Sequence, residues 1–158
     1  MDIAGQQKLV DANVLIVGMG GLGCPVGMYL AAAGVGHLIL ADDDTVEITN
    51  LQRQIAHSQT DIGSSKVESV AETLKGLNPK VRITAMNQRL EEKDLDNQMS
   101  TVDVVVDASD NFTTRFAIKR ACSKTKTPLV SGAAIRMEGQ VTVFDPRDAQ
   151  SPCYQCLY

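Results

Sequence analysis

Gly18-Met19-Gly20-Gly21-Leu22-Gly23 has the G-x-G-x-x-G spacing of a loop whose backbone can approach a phosphate. Asp42, at the end of the next apolar run, is placed to accept hydrogen bonds from ribose hydroxyls, while Asp43 reads as part of a solvated acidic turn. These features suit a dinucleotide and ATP alike. Two cations then follow. Arg53 stands in Asn50-Leu51-Gln52-Arg53-Gln54, and Lys66 falls in the first turn of a helix, where a cation opposes the macrodipole at a cost of a few tenths of a kcal/mol. A phosphate held between Lys66 and the helix terminus would remove that misfit. The plainer reading is a solvated surface lysine. Within Asp107-Ala108-Ser109-Asp110-Asn111, Asp110 is either the N-cap of the next helix, or a hard oxygen ligand for Mg²⁺, or both. Cys153 and Cys156 form a C-x-x-C that suggests metal or redox chemistry, whereas Cys24 and Cys122 lie in helical patterns and read as small buried hydrophobes.

The elements that position these residues are legible as alternation. A strand from Asn13 to Val17 feeds the glycine loop, and a helix from about Gly21 to Ala33 follows it, with Pro25 in its first turn and Gly34 and Gly36 closing it. A second strand, His37 to Ala41, completes a βαβ unit. The next helix runs from about Ser65 to Leu77, with Val67, Val70, Ala71, Leu74 and Leu77 on one stripe and Ser65 and Glu68 at capping-box spacing, and Asn78-Pro79 ends it. Strands are expected at Val81 to Ala85 and Val102 to Asp107, with a short acidic helix from Glu91 to Gln98 between them. After Asp110-Asn111 a helix runs to about Lys124, and after Pro128 comes a strand from Leu129 to Ala134. Glu138 to Phe144 alternates and should pair antiparallel with that strand. The expected fold is α/β: a Rossmann-like, doubly wound, mostly parallel sheet with an antiparallel C-terminal strand pair, binding its ligand at the carboxyl ends of the strands.

A length of 158 residues corresponds to one domain, and no linker or internal repeat interrupts it. The formal charge of −4 argues against a general nucleic-acid or membrane-surface binder, which needs a basic face. The N-terminal residues MDIAGQQKLV carry neither a basic leader nor a long apolar run, so a cytoplasmic location is expected.

Taken together, "GMGGLG", "ADDDTVEITNLQRQ", "DIGSSKVES", "DASDN", "VSGAAIRMEGQVTVF" and "PCYQC" resemble, in order, the motifs of the ThiF/MoeB/HesA adenylyltransferases, the bacterial relatives of ubiquitin-activating enzymes. The resemblance runs from Gly5 to Tyr158 and is strongest to the enzymes that activate sulfur-carrier proteins of molybdopterin and thiamine synthesis. It implies that Gly18, Gly20 and Gly21 let the backbone meet ATP and that Asp42 takes the ribose hydroxyls. Asn50, Arg53 and Lys66 would hold the phosphates, and Asp110 would bind Mg²⁺ with Asn111 beside it. Cys153 and Cys156 would supply two of four thiolates of a structural Zn²⁺.

The reaction implied is attack by the C-terminal glycine carboxylate of a ubiquitin-like carrier on the α-phosphate of ATP, giving an acyl adenylate and pyrophosphate. Such a carboxylate has a pKa near 3.5 and needs no general base at pH 7. This suits a chain with two histidines, of which His37 reads as a strand-edge residue and His57 as a loop residue. Arg53, Lys66 and Asp110 are therefore the expected catalytic set, acting by positioning and charge neutralisation. Family members also carry an N-terminal arm whose arginine reaches the partner subunit's ATP in a homodimer, and a continuation past the C-x-x-C. Neither matches a segment here, so the zinc site is half a site and the chain is expected to be truncated at both ends relative to the family fold. Two rival readings are an NAD-dependent oxidoreductase, disfavoured by Arg53 and Lys66, and a non-catalytic binding module of the same family.

Overall fold

The computed structural model describes residues 2–148 and 150–152. Its centre is a six-stranded sheet in the order β3-β2-β1-β4-β5-β6. The strands are β1 (Asn13–Val17), β2 (His37–Ala41), β3 (Arg82–Met86), β4 (Val104–Asp107), β5 (Leu129–Ile135) and β6 (Glu138–Phe144). All neighbouring pairs run parallel except β5 and β6, which form an antiparallel hairpin. The doubly wound expectation therefore holds, with the antiparallel pair where the alternation placed it.

The central strand β1 shows why the fold takes this form. Its residues are almost all apolar, as required of a strand covered on both faces, and successive side chains enter opposite cores. Val14 and Ile16 join Leu38, Leu40, Val67, Val70 and Leu74 on one side. Leu15 and Val17 join Ile39, Val105, Leu95, Ile118 and Leu129 on the other. Helices α2 (Gly23–Ala33) and α3 (Lys66–Leu77) cover the first face, and α4 (Glu92–Met99) and α5 (Phe112–Thr125) cover the second. Because the chain turns from β1 toward β2 on one side and β4 lies on the other, the sheet order reverses at the carboxyl end of β1. That is where open α/β sheets leave a crevice.

Three expectations are corrected. An N-terminal helix, α1 (Ile3–Asp11), stands where the sequence suggests no element; it buries no residue completely and sets only the half-buried Leu9 against the core. It is held by its Asp2 cap, whose side chain accepts from Gly5 N at 2.7 Å, and by Gln6 Nε2 donating to Ala33 O at 3.1 Å. Helix α2 begins at Gly23 rather than Gly21, since Gly20 and Gly21 remain in the loop and Cys24 N closes the first turn onto Gly20 O. Strand β3 lies one residue further on than expected, at Arg82–Met86, because Val81 N is engaged by Asn78 O and pairing with β2 starts at Arg82. Among the described residues no helix is long and apolar enough to cross a membrane.

Candidate functional site

The glycine loop owes its shape to two close approaches. Gly18 has φ +95°, and a Cβ there would lie 2.7 Å from Ala108 O, so the loop after β1 packs directly on the loop after β4. At Gly23 a Cβ would fall 1.7 Å from Gly18 O, and the turn closes only without a side chain. Asp42 ties this loop to the end of β2: its Oδ2 accepts from Met19 N at 2.6 Å and its Oδ1 from Asp44 N at 2.8 Å. The half-buried Asp42 thus organises two backbone segments.

From β2 the chain descends through a 3-10 turn at Ile48–Asn50. Asn50 is buried, its Oδ1 accepts from Glu47 N at 3.1 Å, and its carbonyl receives the N–H groups of Arg53 and Gln54. The residue expected to touch phosphate is therefore also the cap that aims the next two side chains. Arg53 runs along Gly21, where a Cβ would be 3.6 Å from its Cγ, and its exposed guanidinium donates to Thr49 O at 3.0 Å. Gln54 faces Gly20, with Nε2 3.7 Å from where a Cβ would stand. It is 3% exposed, and its Oε1 has no hydrogen-bond partner among the described residues. A buried carbonyl left unpaired costs about 1 to 3 kcal/mol, so Gln54 Oε1 is a ready acceptor at the loop. Sequence reading passed over it because nothing in "NLQRQ" separates Gln54 from Gln52; an unsatisfied buried atom is visible only in three dimensions.

Lys66 opens α3, as expected, with Ser65 as the N-cap accepting from Glu68 N at 3.4 Å. The plainer reading of a solvated surface lysine is overturned. Lys66 is 6% exposed, and its ammonium donates to Asp44 Oδ2 at 2.7 Å. His57 lies in a loop, as read from the sequence, and is buried as well. Its Nδ1 lies 2.8 Å from Ser69 Oγ on α3 and its Nε2 3.7 Å from Cys24 Sγ on α2. Burial lowers the His57 pKa from its ordinary 6.5, favouring the neutral ring. Burial also pushes the Cys24 thiol up to about 11, so it stays protonated and donates to Met19 O at 3.3 Å. Cys24 and Cys122 are free, buried thiols, as their helical patterns suggested.

The loop after β4 is held from beneath. Asp107 is 1% exposed and accepts from Ser109 N, Ser109 Oγ and Ser131 Oγ at 3.0, 2.6 and 3.2 Å. Arg115 donates to Ser109 O and Gly132 O. The N-cap of α5 is Asn111, whose Oδ1 accepts from Thr114 N at 2.9 Å, and not Asp110. The cap reading of Asp110 is thereby corrected. Among the described residues its exposed carboxylate accepts only a 3.4 Å contact from Asn111 Nδ2, which leaves oxygen lone pairs for a hard cation. Asn111, expected beside a nucleotide, is engaged by the cap and by Arg89 Nη2 at 3.0 Å.

One neighbourhood thus joins the glycine loop, Asp42, Arg53, Gln54 and the Asp110 loop, with Lys66 connected through Asp44. Cys153 and Cys156 lie outside the described residues.

Comparison with known proteins places the chain in a family and agrees with its fold. The model of the ThiF family matches residues 1–158. The chain is 50% identical over 156 residues to a molybdopterin-synthase adenylyltransferase of Escherichia coli, covering 99% of this chain and 62% of that protein. It is 47% identical over 159 residues to a sulfur carrier protein ThiS adenylyltransferase of the same organism, covering 99% of this chain and 63% of the relative. The chain therefore spans less than two thirds of the length of these relatives. Among solved structures, Escherichia coli MccB with ATP superposes with a TM-score of 0.87 at 28% identity, covering 96% of this chain and 46% of the other.

Proposed function

The chain belongs to the ThiF family, and on that premise we propose that the protein carrying it uses ATP to activate the C-terminal glycine carboxylate of a ubiquitin-like sulfur-carrier protein of the molybdopterin or thiamine pathway. The observation that carries this reading is the placement of two cations at a phosphate-shaped loop: Arg53 along Gly21, and Lys66 at the head of α3, linked through Asp44 and Asp42 to Met19. A hydride-transfer enzyme has no need of that pair.

In the proposed reaction a carboxylate oxygen of the carrier attacks the α-phosphorus, the bond to the β-phosphate oxygen breaks, and pyrophosphate leaves. The nucleophile is already ionised at pH 7, so no side chain removes a proton. What the protein must supply is relief of the repulsion between an anion and a polyanion. Arg53 and Lys66 neutralise phosphate oxygens, Gly18, Gly20 and Gly21 allow the backbone to approach, and Asp42 and Asn50 orient ribose and phosphate. Gln54 Oε1 offers a further acceptor. Asp110, with Asn111 fixing its loop, fits Mg²⁺, which would add charge neutralisation when bound.

The family resemblance further implies a homodimer, the formal charge of −4 argues against a general nucleic-acid or membrane-surface partner, and a cytoplasmic location would keep the free thiols of Cys24 and Cys122 reduced. Cys153 and Cys156 would contribute two thiolates to a structural Zn²⁺. Zinc lost from the purified protein on Cys153→Ser is the expected result.

Calorimetry with ATP and with NAD tests the ligand, and labelled pyrophosphate exchange into ATP tests the reaction. ATP should bind more tightly than NAD, and exchange should require a carrier ending in Gly-Gly. Tighter NAD binding, or exchange without carrier, refutes the proposal.

A further inference from the structure

We propose that Asp44 is a built-in counter-anion that occupies Lys66 in the nucleotide-free protein and must yield it to the incoming phosphates, so that Asp44 holds nucleotide affinity below what the site could otherwise reach. This rests on the ATP reading given above and deepens it.

The ammonium of Lys66 is nearly inaccessible: its side chain is 8% exposed, against 66% for Asp44, and the two meet at 2.7 Å. A buried cation needs an anionic partner, and this one also sits in the first turn of α3, where the macrodipole disfavours positive charge. Asp44 is the one carboxylate with which Lys66 forms an ion pair among the described residues. The contact is built in from both sides of the backbone. Lys66 N donates to Asp44 O at 3.0 Å, Thr45 and Ser65 form an antiparallel bridge, and Val46 N donates to Ser64 O at 2.9 Å. Asp44 has its own reason to hold the cation, because carboxylate oxygens of Asp42, Asp43 and Asp44 all lie within 4.8 Å of one another. Lys66 relieves that like-charge crowding.

A polyphosphate arriving at the glycine loop brings further negative charge to the same ammonium. Either Lys66 turns from Asp44 to the phosphate, leaving Asp44 unpaired beside two other carboxylates, or it is shared and the phosphate faces Asp44 directly. Both alternatives cost binding energy that an uncharged residue of the same shape would not. Removing the charge at position 44 should therefore strengthen nucleotide binding, the opposite of the outcome for a residue that contacts the ligand favourably.

The test is calorimetric titration of ATP, in EDTA and again with Mg²⁺, into the wild-type protein, Asp44→Asn, Lys66→Gln and the double variant. Asp44→Ala serves as a second charge-removing variant, and circular dichroism checks the folding of each. Asp44→Asn is expected to bind ATP about 3- to 10-fold more tightly than wild type in both media, the range set by the half-open ion pair. The gain should differ in the Lys66→Gln background, where no ammonium is shared between Asp44 and the phosphate, and an identical gain in both backgrounds overturns the inference. Unchanged or weaker binding by both Asp44 variants, while wild type still binds ATP, overturns the inference alone. A loss seen only with Mg²⁺ overturns it too, by showing Asp44 to be a metal ligand. A wild-type protein that binds no ATP at all overturns both this inference and the function on which it rests.

Discussion

Single side chains at this site divide by whether their charge has a partner inside the protein. Arg53 is exposed and, among the described residues, bonded only to a backbone carbonyl, while Lys66 is buried against a carboxylate. Replacing either with Ala should cost on the order of 2 to 4 kcal/mol of transition-state stabilisation, measured as the fall in kcat/KM for carrier-dependent pyrophosphate exchange by the intact enzyme. His57 gives a different kind of expectation. Its pKa is lowered by burial, so between that lowered value and its ordinary 6.5 the unfolded chain binds more protons than the folded one. Stability from this residue is complete above about pH 6.5 and is lost as pH falls through the lower folded value. His37 is shifted the same way by burial and by Arg82, and contributes in parallel. Urea midpoints at pH 7.5 and pH 5 should therefore converge partly, not wholly, in His57→Gln; an unchanged pH slope in that variant would show that the buried imidazole does not titrate with unfolding. The sequence exposed the charges but not their partners. That Lys66 is buried and His57 sits beneath it depends on how α3 packs on α2, which no local spacing encodes.

Elements were legible where their periodicity met a core and illegible where it did not. The central strands β1 and β2 read as short apolar runs because both faces are covered, and α3 read as a stripe because one face packs against Ile16 and Leu40. Helix α1 sets only the half-buried Leu9 against that core, too little for a stripe, and the first turn of α2 is not locatable because the glycines that shape the loop are silent about where helical bonding starts. The start of α5 after Asp110-Asn111 is legible but its cap is not, since Asp110 and Asn111 are both good caps and only the observed Asn111 bond to Thr114 N decides. That decision separates two variants. Asn111→Ala should lower the unfolding free energy by about 1 kcal/mol through loss of the cap. Asp110→Asn should change it by no more than about 0.5 kcal/mol, yet weaken the Mg²⁺ dependence of ATP binding. Equal losses of stability in chemical denaturation would contradict the assignment. At the glycine loop, Gly23→Ala should cost about 3 kcal/mol or more, since its Cβ would have to displace the Gly18 carbonyl from 1.7 Å.

On the scale of the whole molecule, the position of β1 at the middle of the sheet has a consequence in time. The chain makes β1 first, but its neighbour β4 is encoded far downstream: Asn13 N is bonded to Asp103 Oδ2 across 90 residues. The half built from β1, β2 and β3 with α2 and α3 can assemble from nearer contacts, whereas closing β1 onto β4 must overcome the entropy of the intervening chain. The loop at Gly18 rests on Ala108, so the crevice acquires its second wall only when that last docking occurs. Nucleotide capture should therefore be a late event in refolding, lagging the recovery of helical circular dichroism. The chain has no tryptophan, so a fluorescent ATP analogue can report binding without an intrinsic tryptophan background. Dilution from denaturant with both signals recorded should show two rate constants, the slower belonging to the analogue. A single shared rate constant would mean that the two halves of the sheet form together.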